Sequence, residues 1–379
     1  MAQYKDQKTL NVPPLRFPGF TDEWKKTTLG EITTNFNLRN KEQIDYPMFS
    51  VTNNRGFIPQ SEQFEDREMK GEDIKAYKVI HHNDFAYNPA RINVGSIAKY
   101  NGFEPCMISS LYVCFKANNE VDEDWLIHLL RTPKVQYYYQ LNGEGGVRIY
   151  LFYPNFARIR TSIPSIEEQK KIAKILSIID ERIATQNKII DNLQSLIKGL
   201  RELLFKPLLS NFVKLGNIAK ITNGSGDVQD AVSDYQNGLY PFFDRSDDVK
   251  YFRDYSFDAE AIIYAGEGAE FLPRYYNGKF ALHQRCYAIT TFASNFLPRY
   301  IYHYLQTQNN YFIRNAVGST VPSLRMDCFH KISIPFANKH MQEFIVKKLD
   351  TLCEKIDDEK HLLTLYQKQK AHLLQELFI

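Results

Sequence analysis

The sequence contains few cysteines and no long apolar run. Its 379 residues include five cysteines, an odd number, and no Cys-x-x-Cys pair. This usage favours reduced thiols in a cytoplasm and argues against a disulfide framework or a structural zinc site. No apolar run approaches twenty residues and the first fifteen residues are mostly polar, so we expect neither a membrane span nor a secretory signal.

The chain also lacks a strong charge of either sign. Its formal net charge is only +3, whereas a strongly basic chain would indicate nucleic acid on charge alone. Aromatic residues are abundant instead, with 24 Tyr and 26 Phe against 2 Trp. Any nucleic-acid surface must therefore consist of local patches.

Motifs for catalysis are missing as well. There is no Gly-x-x-x-x-Gly-Lys loop, which argues against an ATP-driven motor. The segment Tyr87-Asn88-Pro89-Ala90 lacks the second proline and the aromatic residue of the Asn-Pro-Pro-aromatic motif of amino-methyltransferases. His128 and His303 occupy matching places beside apolar helix faces, where packing is more common than metal ligation. We therefore expect no catalytic residue and no metal site in this chain.

What the chain does contain is an internal repeat. The segment 163–205 is echoed by 334–378, with matches such as Glu181 to Glu354 and Leu204 to Leu377 at one constant spacing. The segments before these copies are related more loosely. The order is thus globule, long helix, globule, long helix, which predicts two similar modules related by an approximate twofold axis.

Each long helix is predicted by an apolar seam with steps of three and four residues, the pattern of a coiled coil. The first helix begins after Pro164, where Ser165 and Glu168 have the spacing of a capping box. Its seam consists of Ile172, Leu176, Ile179, Ile183, Ile190, Leu193, Ile197, Leu200 and Leu204. The second seam consists of Ile345, Leu349, Leu352, Ile356, Leu363, Tyr366, Leu373 and Leu377.

Polar residues interrupt both seams at matching places. Gln186 breaks the first seam, and its repeat-mate Glu359 breaks the second, which Lys370 interrupts as well. A polar residue in an apolar seam can fix register at some cost in stability, so this pair is predicted to set an antiparallel register. The alternative is that both positions are solvated where the helices splay.

The two globules have a mixed α+β pattern. The predicted boundaries are an N-terminal segment 1–27 packed on the first globule, a first globule 28–163, a first helix 164–206, a second globule 207–334 and a second helix 335–379. Strands are predicted at 78–80, 111–115, 261–264 and 286–290, and one amphipathic helix in each globule at 125–131 and 299–306.

Two loop regions in each globule concentrate Arg, Lys, Asn and aromatic residues. Arg and Lys bond guanine edges, Asn and Gln bond adenine edges, and Ser, Thr and Lys contact phosphates. The DNA-binding candidates are Arg91, Asn93, Lys99, Asn101 and Arg148 in the first globule and Arg274, Tyr276, Asn277, Lys279, Ser319, Ser323 and Arg325 in the second.

Several motifs now point to one family. The opening Pro14-Leu15-Arg16-Phe17-Pro18-Gly19-Phe20, followed by Leu29-Gly30-Glu31-Ile32, resembles the start of type I restriction-modification specificity subunits. The run Ile163-Pro164-x-x-Glu167-Glu168-Gln169-x-x-Ile172 resembles the family's Pro-x-x-Glu-Gln-x-x-Ile start of its first spacer helix. The second start keeps Gln342 and Ile345 but loses the paired acids, which leaves open how that helix is capped.

The resemblance implies two target recognition domains, each reading one half of an asymmetric bipartite site on double-stranded DNA. The two helices would form an antiparallel coiled coil that sets the gap and docks two methyltransferase subunits. Restriction (translocase-nuclease) subunits would join for cleavage. S-adenosylmethionine, ATP and Mg²⁺ would be used by these partners, and no cofactor by this chain. Two alternatives are a self-contained DNA methyltransferase or nuclease, and a coiled-coil adaptor whose globules bind proteins or glycans.

Overall fold

The computed structural model describes residues 10–63, 74–145 and 149–379. The chain divides into two compact units. The first comprises Met1–Gln186 with Leu362–Ile379, and the second comprises Asn187–His361. Each unit therefore contains one globule together with a part of both long helices.

The first globule combines short strands with three helices of five to ten residues. Its strands are β1 (Lys25–Thr28), β2 (Thr33–Phe36), β3 (Phe49–Thr52), β4 (Gly56–Pro59), β5 (Lys78–Ile80), β6 (Phe85–Tyr87), β7 (Ile97–Lys99), β8 (Cys106–Ile108), β9 (Val113–Ala117) and β10 (Arg160–Ile163). Its helices are α1 (Leu29–Ile32), α2 (Gln60–Gln63), α3 (Glu123–Leu130), α4 (Pro133–Asn142) and α5 (Tyr153–Ala157), and the long helix α6 (Ile166–Phe205) follows.

The second globule repeats this plan with longer strands. Its strands are β11 (Phe212–Lys214), β12 (Lys220–Asn223), β13 (Tyr240–Phe243), β14 (Lys250–Phe252), β15 (Phe257–Ala265), β16 (Arg274–Leu282), β17 (Cys286–Thr290) and β18 (Ser333–Pro335). Its helices are α7 (Leu215–Ile218), α8 (Pro298–Leu305), α9 (Asn309–Asn315) and α10 (Met326–Lys331), followed by the long helix α11 (Lys339–Glu376). The predicted mixed α+β class is confirmed.

Both globules use the same strand order. The sheet of the first runs β2-β9-β6-β7, and that of the second begins β12-β17-β15-β16 before it adds β13 and β14. The register also matches, because Tyr87 pairs with Val113 as Tyr264 pairs with Tyr287. The internal repeat seen in the sequence is thus a repeat of one framework.

The larger sheet must coil strongly. Phe257 at one end of β15 pairs with Phe280, and Ala265 at the other end pairs with Cys286. At roughly 3.3 Å per residue β15 spans about 26 Å, whereas the chain from Phe280 to Cys286 reaches at most about 20 Å. The coil brings the turn between β16 and β17 to the same end of the sheet as the loop between β15 and β16.

A buried glutamine fastens the start of α6 to the first globule. The side-chain Nε2 of Gln169 donates to the carbonyl oxygens of Glu120 and Pro164, each at 3.0 Å. Its Oε1 accepts from the backbone N–H of Asp122 at 2.8 Å. Since Asp122 caps α3, this one side chain joins α3 to α6.

Gln342 does the same at the start of α11. Its Nε2 donates to the carbonyls of Asn295 and Ala337 at 2.9 and 2.8 Å, and its Oε1 accepts from the N–H of Leu297, the cap of α8, at 2.8 Å. The glutamine that survives in both helix starts is therefore the residue that fixes each helix to its globule.

The helix caps are also equivalent. Ser165 Oγ accepts from the N–H of Glu168 at 3.4 Å, and its repeat-mate Asn338 accepts from the N–H of Met341 at 2.9 Å. The Glu168 carboxylate forms two 2.8 Å bonds with Arg16, so only the Ser165 half of the predicted capping box is seen among the described contacts. Asn338 supplies the second cap, whose identity the sequence left open.

The long helices run antiparallel within each unit. In the first unit the Arg182 guanidinium lies 5.9 Å from the Tyr366 ring, Asp180 pairs with Lys370, and Leu176 shares a core with Leu377. Residue numbers thus rise along α6 as they fall along α11. In the second unit, Leu193, Ile197 and Leu200 of α6 share a core with Ile345, Leu349 and Ile356 of α11. The predicted antiparallel seam is confirmed.

The two polar residues of the seams are both buried. Gln186, in the first unit, is 5% exposed, and Glu359, in the second, is 9% exposed. The Glu359 carboxylate pairs with Lys355 one turn earlier. Burial disfavours the alternative of solvated positions, and the register role stays a prediction.

The cysteines pack as small apolar residues. All five are free thiols, four are buried and Cys353 is half-buried. Burial raises the pKa of Cys106 and Cys114 to about 12 and that of Cys286 to about 11, so these thiols stay protonated near neutral pH. None of the described helices combines the length and the apolarity that crossing a membrane requires.

Candidate nucleic-acid interface

Three loops meet at one end of the first sheet. Ser96 Oγ, in the loop between β6 and β7, donates to the carbonyl of Val51 beside the β3–β4 turn at 2.8 Å. The backbone N–H of Leu151 donates to the carbonyl of Pro89 at 3.0 Å. We call residues 53–55, 88–96 and the described part of 143–151 the first loop cluster.

The matching loops meet in the second globule. The Arg274 guanidinium donates to the carbonyl of Ser246, in the loop between β13 and β14, and contacts Asp247 at 3.3 Å. The N–H of Gly268 donates to the carbonyl of Pro322 at 3.1 Å. We call residues 244–249, 266–274, 283–285 and 317–325 the second loop cluster.

Six of the predicted residues belong to these clusters. They are Arg91 and Asn93 in the first and Arg274, Ser319, Ser323 and Arg325 in the second. Arg91 and Arg325 are exposed and stand at the N-terminal ends of a 3₁₀ turn and of α10. Neither guanidinium has an ion pair with a described residue, so both are available to a ligand.

Arg274 is held more tightly than the other candidates. Its side chain is 28% exposed and is bonded to the β13–β14 loop, while its Nη1 is buried without a partner in the described part of the chain. A guanidinium has five N–H donors in a fixed plane, so one fixed edge orients the rest. Arg274 is therefore a preorganised donor.

Five other predicted residues lie on or directly after the strands β7 and β16, away from the loop clusters. Lys99, at the end of β7, pairs with Asp124 and its side chain is 11% exposed. Tyr276 packs on the rings of Phe243 and Phe280, and Lys279 stands 4.6 Å from the Tyr255 ring. Asn101 and Asn277 are exposed, while Arg148 lies outside the described residues.

The sequence reading missed the hairpin loops of β3–β4 and β13–β14. Asn53-Asn54-Arg55-Gly56 lies between two short β-type runs, which is a hairpin pattern, and Asp244-Arg245-Ser246 is its counterpart. Turn residues predict that the chain reverses, but not which other loops lie beside it. The strand pairing supplies that information.

The second loop cluster encloses a cleft of about 550 Å³ with both signs of charge on its walls. Asp244 is buried there and accepts from Lys250 at 2.7 Å and from Ser246. Burial raises the pKa of the Asp244 carboxyl, but the bonds from Lys250 and Ser246 outweigh it, so the pKa lies below its ordinary value. Arg245 also lines this cleft and is exposed.

The repeated histidines face the long helices. His303 Nε2 lies 2.7 Å from the Asp350 carboxylate of α11. For His128, burial lowers the pKa to about 4. Both side chains are buried, as expected of packing residues. Within the described ranges, no group of three or more His, Cys, Asp or Glu could hold a metal ion.

Comparison with known families adds a second kind of observation. The family model of the type I restriction modification DNA specificity domain matches this chain twice, over residues 21–195 and 207–365. The repeat of the framework is therefore a repeat of this domain.

Curated relatives agree with that match. The chain is 32% identical over 148 residues to the type I restriction enzyme EcoDI specificity subunit of Escherichia coli, across 39% of this chain and 32% of the relative. It is 30% identical over 127 residues to the type I restriction enzyme MjaVIII specificity subunit of Methanocaldococcus jannaschii, across 34% of this chain and 29% of the relative. These matches thus span about a third of each relative.

A solved structure shares the fold over nearly the whole chain. It is the crystal structure of the S subunit of a type I restriction-modification system from M. genitalium, with a TM-score of 0.64 at 15% identity. The superposition covers 97% of this chain and 99% of that one. At this identity the likeness shows a common fold.

Proposed function

The chain belongs to the type I restriction modification DNA specificity family, and from this premise we propose that its two globules read the two halves of one bipartite DNA site. The observation that supports this most directly is the recurrence of one loop cluster at the same end of the same framework in each globule. The clusters differ in sequence, so the two half-sites differ and the target is asymmetric.

We propose that the chain recognises DNA and carries out no catalytic chemistry itself. Its buried thiols stay protonated, its repeated histidines pack against the long helices, and its exposed arginines suit base edges or phosphates. S-adenosylmethionine, ATP and Mg²⁺ would be used by partner subunits. A protein-binding or glycan-binding adaptor is disfavoured, because the family match extends over both globules.

The long helices would hold the globules apart and dock two methyltransferase subunits. In the second unit, Ile189, Leu196 and Leu203 of α6 are 38%, 55% and 66% exposed and are spaced by seven residues. A repeat of seven keeps apolar residues on one face of a helix, and such a stripe is suited to a partner helix. Restriction (translocase-nuclease) subunits would join this assembly for cleavage.

Mapping methylated bases tests the proposed function. The chain is expressed with its methyltransferase partners, and methyladenine is mapped in cells with and without it. We expect one asymmetric motif of two short halves with a fixed gap, present only with this chain. Methylation that does not depend on the chain, or a motif without a gap, would refute the proposal.

The length of the long helices should set that gap. Inserting one heptad at matching levels of α6 and α11 lengthens each by about 10 Å, or about three base pairs at 3.4 Å each. We expect the halves of the methylated motif to stay the same while the preferred gap grows. An insertion that leaves the gap unaltered would exclude a spacer role.

A further inference from the structure

The second loop cluster contains an ion pair whose two residues are brought together by close backbone packing. At Gly266, a Cβ atom would lie only 2.0 Å from the carbonyl oxygen of Arg285. Since no side chain fits there, Gly266 lets the β15–β16 loop pack directly on the β16–β17 turn. The residues next to this contact, Glu267 and Arg285, are thereby brought together.

Glu267 is fixed from both sides. Its backbone forms a bridge with Ser323, and the neighbouring Gly266 and Gly268 are bonded to Leu324 and Pro322 at 2.7 and 3.1 Å. Its carboxylate accepts from Arg285 Nη1 at 2.6 Å. The Glu267 side chain is 21% exposed and the Arg285 side chain is 65% exposed. The carboxylate is therefore largely enclosed, whereas the guanidinium extends towards solvent.

The pair presents a donor beside an acceptor. Both residues line the cleft of the second loop cluster together with Arg245 and Gln284. In the major groove a G·C pair shows the guanine O6 and N7 acceptors next to the cytosine N4 donor. Thymine offers only the O4 acceptor beside its methyl group. A guanidinium that directs two N–H groups at a base edge would therefore find one acceptor where guanine supplies two.

We propose that Glu267 and Arg285 together read one G·C base pair in the half-site of the second globule. Arg285 donates to guanine O6 and N7, and Glu267 accepts from the cytosine N4 amino group. This inference rests on the proposed function, because it needs the second globule to read DNA.

At the equivalent positions the first globule has no acid–arginine pair. The matching register of Tyr87 with Val113 and of Tyr264 with Tyr287 places Ala90 and Leu111 where the second globule has Glu267 and Arg285. Neither residue can bond a base edge through its side chain. The half-site of the first globule therefore serves as an internal reference for any variant of the pair.

The test measures methylation by the assembled complex on a DNA library with randomised half-sites. We expect Arg285→Ala to lower the preference for G·C about tenfold at one position of one half-site. The preferences at all positions of the other half-site should not change. The matched control is Arg253→Ala, an exposed arginine at the far end of the β13–β14 hairpin, which should leave every position unchanged.

A charge swap separates reading from structure. Glu267→Arg with Arg285→Glu keeps an ion pair, so a merely structural pair would retain the original motif, whereas a reading pair loses the original G·C preference. A retained motif, or uniform weakening across all sequences in Arg285→Ala, would overturn the inference. If the unaltered complex shows no bipartite motif, the proposed function fails; if it does and the pair variants keep that motif, only the pair assignment fails.

Discussion

The two globules share a framework but build one hairpin differently. In the second globule, β15 and β16 run for nine residues each. In the first, the corresponding chain is divided into β5 and β6 by the turn at His81–Asp84, and into β7 and β8 by residues 100–105. Since only the end near Tyr87 and Tyr264 keeps the same register, the rest of the hairpin has been free to diverge.

What has not diverged is the attachment to the long helices. The buried glutamines Gln169 and Gln342 and the caps Ser165 and Asn338 make equivalent bonds in both copies. The attachment of the globules to the long helices and, under the proposed function, the reading of DNA are therefore separate tasks in this fold. The attachment depends on the backbone hydrogen bonds of a buried glutamine, which tolerate little change, whereas the loop clusters lie at the surface and tolerate more.

The largest expected effect concerns the attachment of each globule to its long helix. Gln169→Leu and Gln342→Leu each remove three hydrogen bonds to the backbone, one of them buried and two partly buried, so each should lower the free energy of unfolding by about 3–5 kcal/mol. Urea unfolding measures both, and tryptophan fluorescence reports the first unit alone, since Trp24 and Trp125 both lie there.

The exposed neighbours Lys170 and Glu343, which are also repeat-mates, supply the controls, and their alanine variants should change stability by less than about 0.5 kcal/mol. If one glutamine costs far more than the other, the two attachments are not equivalent and the comparison breaks.

A second effect concerns the two histidines. Burial lowers the pKa of His128 to about 4 from an ordinary value of 6.5, so its contribution is intact above pH 6.5 and is lost as the pH falls towards 4. The full loss is about 3 kcal/mol. His128→Asn should flatten the pH dependence of the melting temperature over this range.

Burial also lowers the pKa of His303, but the hydrogen bond that its imidazole donates to the Asp350 carboxylate opposes the shift, so we expect His303→Asn to flatten that dependence less. Equal slopes for the two variants would contradict the distinction between the two sites.

A third effect concerns the reading loops. Arg91→Ala should change the preference of the first half-site only, and Arg274→Ala that of the second only, each by about 1–3 kcal/mol at one position. Methylation of randomised sites measures both. Uniform weakening would instead identify a phosphate contact, and an effect on both halves would contradict separate reading.

The smallest effect concerns the seam. Replacing Gln186 and Glu359 with leucine should raise the midpoint of thermal unfolding by a few degrees, for about 1 kcal/mol, while relaxing the register. Scanning calorimetry gives the first quantity, and the spread of gap lengths in the methylated motif gives the second. A double variant with unchanged stability and an unchanged gap would show that these residues do not set register.

Local chemistry predicted much of this fold. The strands β5 and β17 begin and end where their β-branched and aromatic runs predict, and α3 and α8 agree to within two residues, because each pattern lies within one short segment. The seam of the long helices was readable for the same reason. Its buried members Ile172, Leu176 and Ile345 all fall on the predicted period.

The loop clusters were only partly predictable. Arg91 and Lys99 are eight residues apart and were predicted to belong to one loop region. The hairpin nevertheless places them at opposite ends of β7. The Glu267–Arg285 pair depends on the coil of the sheet and on the absence of a side chain at Gly266, and neither follows from nearby residues. Contacts of this kind are non-local, so repeat matching could identify the loops but not their neighbours.

The core of the first unit joins residues that are synthesised far apart in time. It places Trp24 and Trp125 against Phe378, which the ribosome adds more than 250 residues after Trp125. The whole second globule is synthesised in the meantime, so the first must persist with that hydrophobic site uncovered. A message cut short upstream of α11 would yield a product that lacks Phe378, and the apolar surface left uncovered in the first core would favour aggregation, chaperone binding or proteolysis.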